Sequence, residues 1–120
     1  MDPFSFYLPT KIVFGQGEIN KIESHVSPEY QKILIVTDRG VELKCDALNR
    51  IRSLLNTRTI SVFSEVEENP SFSTLKKGKE MAREMGAQLI LGLGGGSPMD
   101  AAKGIAVLAS NNKEMDLYMS

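Results

Sequence analysis

The chain has one histidine and one cysteine in 120 residues, and each scarcity excludes some chemistry. A metal site of several histidines, or a cysteine cluster, cannot be assembled from His25 and Cys45. A lone cysteine forms no internal disulfide, which points to the cytoplasm as the compartment. Aromatic residues make up only 7% of the chain, and the net charge is -1. With no basic excess to grip a phosphate backbone, no nucleic acid partner is expected. No apolar run is long enough to span a bilayer, so no membrane is expected either. The opening MDPFSFYLPT lacks a basic n-region and an apolar h-region, and no signal peptide is expected there.

What is present is ordinary: 42% hydrophobic and 24% charged residues. That composition suits a folded domain, and the length suits one domain over residues 1–120 with a core that needs no disulfide. Phe4–Tyr7 and Lys11–Phe14 read as short strands flanking Leu8-Pro9. Ile19, Ile22 and Val26 mark one face of a short helix. His25, near the end of that helix, reads as a surface residue. Ile33–Val36 is a continuous apolar run, the pattern of a parallel strand covered on both faces. Val41, Cys45, Leu48, Arg52 and Leu55 follow at helical spacing. This places Cys45 in the core rather than in a nucleophilic pair, with the Arg52 stem along the edge. Ile60, Val62 and Phe63 form the next strand. Leu75, Ala82 and Met85 form a helix stopped by Gly86. Leu89–Leu91 is a third core strand, and Pro98 to Ala109 a final helix. Met115, Leu117, Tyr118 and Met119 then either cover this domain or lead into more protein.

Alternating strands and helices call for an open parallel sheet with helices on its faces. In such sheets ligands bind beyond the carboxyl ends of the strands. Asp38, the loop Glu65–Pro70 and the turn Gly94–Ser97 are therefore expected at one rim. The turn lies between a strand and a helix, in LGLGGGSPMDAAKG. There glycines let the backbone approach a ligand, and free helix N–H groups favour an anion such as pyrophosphate. The alternative is a tight turn with Ser97 as N-cap, Pro98 at the first helical position and Asp100 closing a capping box. Neither the G-x-G-x-x-G nor the P-loop pattern is matched. Asp38 can accept hydrogen bonds from a ribose or cap the helix that follows, and the two roles are compatible.

GGGSPMDAAK (Gly94–Lys103) resembles the signature of the iron-containing alcohol dehydrogenases. LPTKIVFGQGEI, ILIVTDRG, VEENP (Val66–Pro70) and AREMGAQLILGLGGGS agree in order. The resemblance implies a Rossmann-like α/β domain: an open, mainly parallel sheet with helices on both faces, plus short N-terminal strands. It implies an NAD(P)-binding domain of an enzyme that interconverts alcohols with aldehydes or ketones. Gly95, Gly96 and Ser97, with Pro98 and Met99 beside them, would hold the pyrophosphate. Asp100 would reach the nicotinamide-side ribose, Asp38 the adenosine ribose, and Asn69 would flank the cofactor. An acid at Asp38 favours NAD over NADP. The family's divalent metal, iron or zinc, is held in a second, helical domain that is expected to lie outside this chain. Alone, the 120 residues are expected to bind cofactor without turnover, and an exposed interdomain face would favour a homodimer. A non-catalytic nucleotide-binding module and a fragment of a glycerol dehydrogenase-like enzyme stand as alternatives.

Overall fold

A computed structural model describes residues 8–13, 19–44 and 46–110. Phe4–Tyr7, Phe14, Cys45 and the apolar residues after Ser110 lie outside these, and so do the expectations for them. In chain order the elements are β1 (Thr10–Val13), α1 (Ile22–His25), β2 (Lys32–Val36), α2 (Arg39–Lys44) and α3 (Ala47–Leu54). They continue with β3 (Thr59–Phe63), α4 (Phe72–Met85), β4 (Leu89–Leu93) and α5 (Gly96–Ser110). The strands form one sheet in the order β1-β4-β2-β3, and every neighbouring pair is parallel.

The two central strands explain the continuous apolar runs. Ile33 to Val36 and Leu89 to Leu91 are all fully buried, because helices cover both faces. Ile33, Ile35, Leu89 and Leu91 pack with Ile22, Val26, Ile51 and Leu55 of the α1/α3 side. Leu34, Val36 and Ile90 pack with Ala82, Ala101 and Ile105 of the α4/α5 side. The connections from β1 to β2 and from β2 to β3 run one way along the sheet, and that from β3 to β4 runs back. Right-handed crossovers in opposite directions deliver helices to opposite faces, which is the distribution found. β3 is an edge strand, and its half-buried residues 60–62 reflect that.

One sequence expectation about the elements needs correction. The helix expected across Val41–Leu55 is broken into α2 and α3. Asp46 stands before α3, and its carboxylate accepts from the Asn49 side chain at 3.2 Å. Such local bonding competes with helix continuation. The buried stripe of α3 runs through Leu48, Ile51 and Leu55, leaving Arg52 exposed. The stop at Gly86 holds: it adopts φ +68°, and the Ala87 N–H closes the helix onto the Ala82 carbonyl at 2.8 Å. His25 ends α1 and is exposed, as expected.

Helices α4 and α5 approach closely where side chains are missing. A Cβ on Gly78 would collide with the Ile105 side chain, and one on Gly104 would stand 2.9 Å from Leu75. Alanine should favour helix α4 by about 1 kcal/mol over glycine, yet overpacking costs about 1–3 kcal/mol. Gly78→Ala is therefore expected to lower stability in urea unfolding. Ile105→Val, which removes the colliding methyl, should cost less in that background than in the parent.

Candidate functional site

The carboxyl ends of β2, β3 and β4 share one rim, and Thr37 ties them together. Its N–H donates to the Phe63 carbonyl at 2.9 Å, continuing the β2–β3 ladder. Its hydroxyl donates to the Leu93 carbonyl at 2.8 Å, across to the end of β4. Thr37 is completely buried. The chain leaves β2 towards β3 on one side and returns to β4 on the other, so this is the switch point where open sheets form ligand crevices.

Asp38 follows at once and is half-buried. One carboxylate oxygen accepts the Val41 N–H at 2.8 Å, so Asp38 caps α2. Val41 reaches the glycine turn from this side: its Cγ2 lies 3.5 Å from where a Cβ on Gly94 would sit. Gly94 has φ +125°, a conformation that L side chains rarely adopt, and its missing Cβ also leaves room for the Pro98 ring.

Helix α5 begins at Gly96, two residues earlier than an N-cap at Ser97 requires. Gly95 precedes the helix, and its carbonyl accepts the Met99 N–H at 3.2 Å. Ser97 is thus in the first turn, and the Ser97–Asp100 capping box is not formed. Pro98 is the third helical residue rather than the first, still within the turn whose N–H groups have no internal partner. It is buried beneath Gly94, Met99 and Ser97 are half-buried, and Gly95, Gly96 and Asp100 are exposed. No hydrogen bond among the described residues engages the Ser97 hydroxyl.

Gly95 and Gly96 differ from the packing glycines. A Cβ on either would meet no atom of the described residues within 4 Å, and neither has a positive φ. Packing among the described residues does not ask for glycine at these two places.

Asn69 stands in the β3–α4 loop with φ 54°, the one positive-φ residue other than glycine among those described. Asparagine tolerates that region better than most residues. Asn69, Pro70, Leu75, Ser97 and Asp100 line an open cleft of about 330 Å³. The structure therefore brings Asn69, Ser97 and Asp100 into one concavity. Asp38 lies on the same rim but on the other side of the turn.

The sequence model of the family described as iron-containing alcohol dehydrogenase matches residues 9–119. The chain belongs to this family. It is 36% identical to NADH-dependent butanol dehydrogenase A of Clostridium acetobutylicum, over 86% of this chain and 27% of that protein. It is 30% identical to the NADPH-dependent aldehyde reductase YqhD of Escherichia coli, over 97% of this chain and 30% of that protein. Among solved structures, an iron-containing alcohol dehydrogenase of Thermotoga maritima superposes with a TM-score of 0.71 at 37% identity. That match covers 94% of this chain and 31% of the other. The chain thus spans about three-tenths of the length of the relatives it matches.

Within this dehydrogenase-family domain, sequence reasoning missed Thr37 and Leu75 at the rim, while Pro70 lies in the loop expected there. The only signal for Thr37 is a hydroxyl residue ending an apolar run. Among the described residues no helix is long and apolar enough to cross a membrane, and no three potential metal ligands converge.

The Asn69 loop is pinned from one side by Glu67. Its carboxyl is held below the ordinary value of 4.5, chiefly by a hydrogen bond from the Thr74 side chain; the Ser71 N–H also contributes, at 3.3 Å. Ser71 in turn caps α4, accepting the Thr74 N–H at 3.2 Å. A lowered native pKa stabilises the fold above 4.5 and loses that contribution as pH falls through the native value. Glu67→Gln should therefore be less stable than the parent at neutral pH, and the gap should close on acidification. Urea unfolding from about pH 7 down to about pH 3 measures it.

Proposed function

We propose that this rim is the NAD-binding site of a metal-dependent alcohol dehydrogenase, and that the described domain is its cofactor-binding part. The observation that carries the reading is the open space at Gly95 and Gly96. Glycine within the first turn, as at Gly96, weakens a helix, and no atom of the described residues forbids a side chain there or at Gly95. A ligand approaching the backbone accounts for the missing side chains. The free N–H groups of Gly96 and Ser97 and the positive end of α5 suit a pyrophosphate. The Ser97 hydroxyl adds a donor, while Pro98 and Met99 shape the turn. The resemblance gives Asp100 to the nicotinamide-side ribose and Asn69 to the loop beside the cofactor, and both line the cleft next to the turn. Asp38 keeps one carboxylate oxygen for Val41 and has the other for the adenosine ribose.

When bound, the cofactor supplies hydride acceptance from an alcohol, or hydride donation to an aldehyde or ketone. The described residues do not form a metal site, and the chain's single histidine is exposed at the end of α1. In our reading the iron or zinc belongs to the part of the family's length that this chain does not span. The isolated chain binds cofactor without turnover, its partners are the dinucleotide and a small alcohol or aldehyde, and self-association as a homodimer in the cytoplasm completes the reading. The alcohol pocket, like the metal, lies with the rest of the family's length.

The first test is a calorimetric titration of the chain with NAD and with NADP. Binding of NAD near millimolar is expected, and no heat at several millimolar would sink the reading. Gly95→Ala and Gly96→Ala then separate site from scaffold. Gly96→Ala, inside the helix, should leave stability unchanged or raise it by up to about 1 kcal/mol, and Gly95→Ala, at the N-cap, should cost no more than about 1 kcal/mol, while each weakens NAD binding by about tenfold or more, or about 1.4 kcal/mol. A loss of stability in step with binding would show instead that the glycines serve the fold.

The matched relatives include an NADH-dependent and an NADPH-dependent enzyme, so the cofactor choice rests on Asp38. Two like charges about 4 Å apart repel by about 4 kcal/mol at an effective dielectric of 20. Screening reduces this to a preference for NAD on the order of ten- to hundredfold. Asp38→Asn removes the charge and keeps an oxygen for the Val41 N–H. It should relax the preference without loosening α2, whereas Asp38→Gly relaxes it and also loses the cap. If the asparagine variant excludes NADP as firmly as the parent, Asp38 is not the discriminator.

A further inference from the structure

Thr37 is a polar residue with no exposure in an apolar part of the sheet, where valine would fill the same volume. Its N–H bond to Phe63 could come from almost any residue. Its hydroxyl bond to the Leu93 carbonyl could not, and that carbonyl belongs to the peptide leading into the glycine turn. A peptide unit is planar, so fixing the Leu93 carbonyl also fixes the direction of the Gly94 N–H. Gly94 at φ +125° then turns the chain towards Gly95 and the start of α5. On the opposite side Val41, placed by the Asp38 cap, lies against Gly94.

We propose that Thr37 is a positioning residue for the cofactor: its hydroxyl locks the Leu93–Gly94 peptide and so pre-arranges the N–H groups of residues 95–97 for the phosphates. This rests on the dinucleotide reading of the turn. Thr37 touches no ligand; it reduces the ordering that binding must otherwise supply, and rigid sites bind more tightly for that reason. The hydroxyl is the decisive group. Serine retains it, and valine keeps the shape without it.

The experiment compares Thr37→Val and Thr37→Ser with the parent chain. Affinity for ADP, which carries the adenosine and diphosphate portion, and for NAD is measured by calorimetry under conditions where each variant is fully folded. Amide exchange of residues 94–97 is followed by NMR without ligand. The valine variant is expected to bind ADP about tenfold more weakly, or about 1.4 kcal/mol, and the serine variant close to the parent. Faster exchange at Gly95 and Gly96 in the valine variant, with β2 and β4 unchanged, separates positioning from general loosening. Should Thr37→Val not fold, Thr37→Cys, of similar size and with a weak donor, replaces it under the same criteria. Parent-like ADP affinity together with parent-like glycine exchange overturns the proposal, and so does equal weakening by valine and serine. If the parent itself binds neither ADP nor NAD, the dinucleotide reading has failed. The cofactor role of Thr37 falls with it, and the glycine amides then decide only whether its hydroxyl orders the turn: unchanged exchange in the valine variant overturns that too.

Discussion

The rim depends on one buried hydroxyl. A parallel sheet in the order β1-β4-β2-β3 brings the carboxyl ends of β2, β3 and β4 to a common edge, but a shared edge is not a defined site. Loops leaving three adjacent strands could settle in many ways. Thr37 narrows them by bonding to Phe63 with its backbone and to Leu93 with its side chain. An unpaired hydroxyl in that setting would cost about 1–3 kcal/mol, so the buried residue favours the arrangement in which the Leu93 carbonyl faces it. The next residue on β2's side caps α2, and the next on β4's side enters the left-handed region. Both sides of the crevice are thus oriented within two residues of the same contact.

The glycines divide by what surrounds them. Gly78, Gly92 and Gly104 are forced by the chain itself, since a Cβ at each would press on Ile105, on Ala102 and Ile12, or on Leu75. They let α4 and α5 lie close to each other and to the sheet. Gly95 and Gly96 face no atom of the described residues. Packing among those residues does not ask for them, and this contrast makes the space above them informative in a way that a count of glycines is not.

Much of this was legible in residue pattern. The runs Ile33–Val36 and Leu89–Leu91 can be covered on both faces only in a parallel sheet, and that topology alone put Asp38, the Asn69 loop and the glycine turn on one rim. Gly86 stopped its helix for a local reason, and local reasons are readable. The failures were tertiary. Ser97-Pro98-Met99-Asp100 has the local form of a capping box, but Gly94 and the buried Pro98 ring set the helix start at Gly96. Ile51 shares the buried face with Leu48 and Leu55, three and four residues away, and the pattern through Arg52 passed over it. Thr37 was invisible because a threonine ending a strand looks the same whether its hydroxyl meets water or a carbonyl from 56 residues away.

The three helices that follow β2, β3 and β4 begin at the rim but not in the same way. Asp38 caps α2, and Ser71 caps α4 with Glu67 supporting it. Helix α5 is preceded by Gly95, which has no side chain to offer. A capping side chain would satisfy the first N–H groups of α5, and it would also fill the place that a phosphate would take. A fold that uses its own caps at two of these starts and leaves glycine at the third gives up local stability at the position where an anion can do the capping. Stability and affinity then draw on the same N–H groups, and ligand binding should be felt first as a tightening of the α5 start.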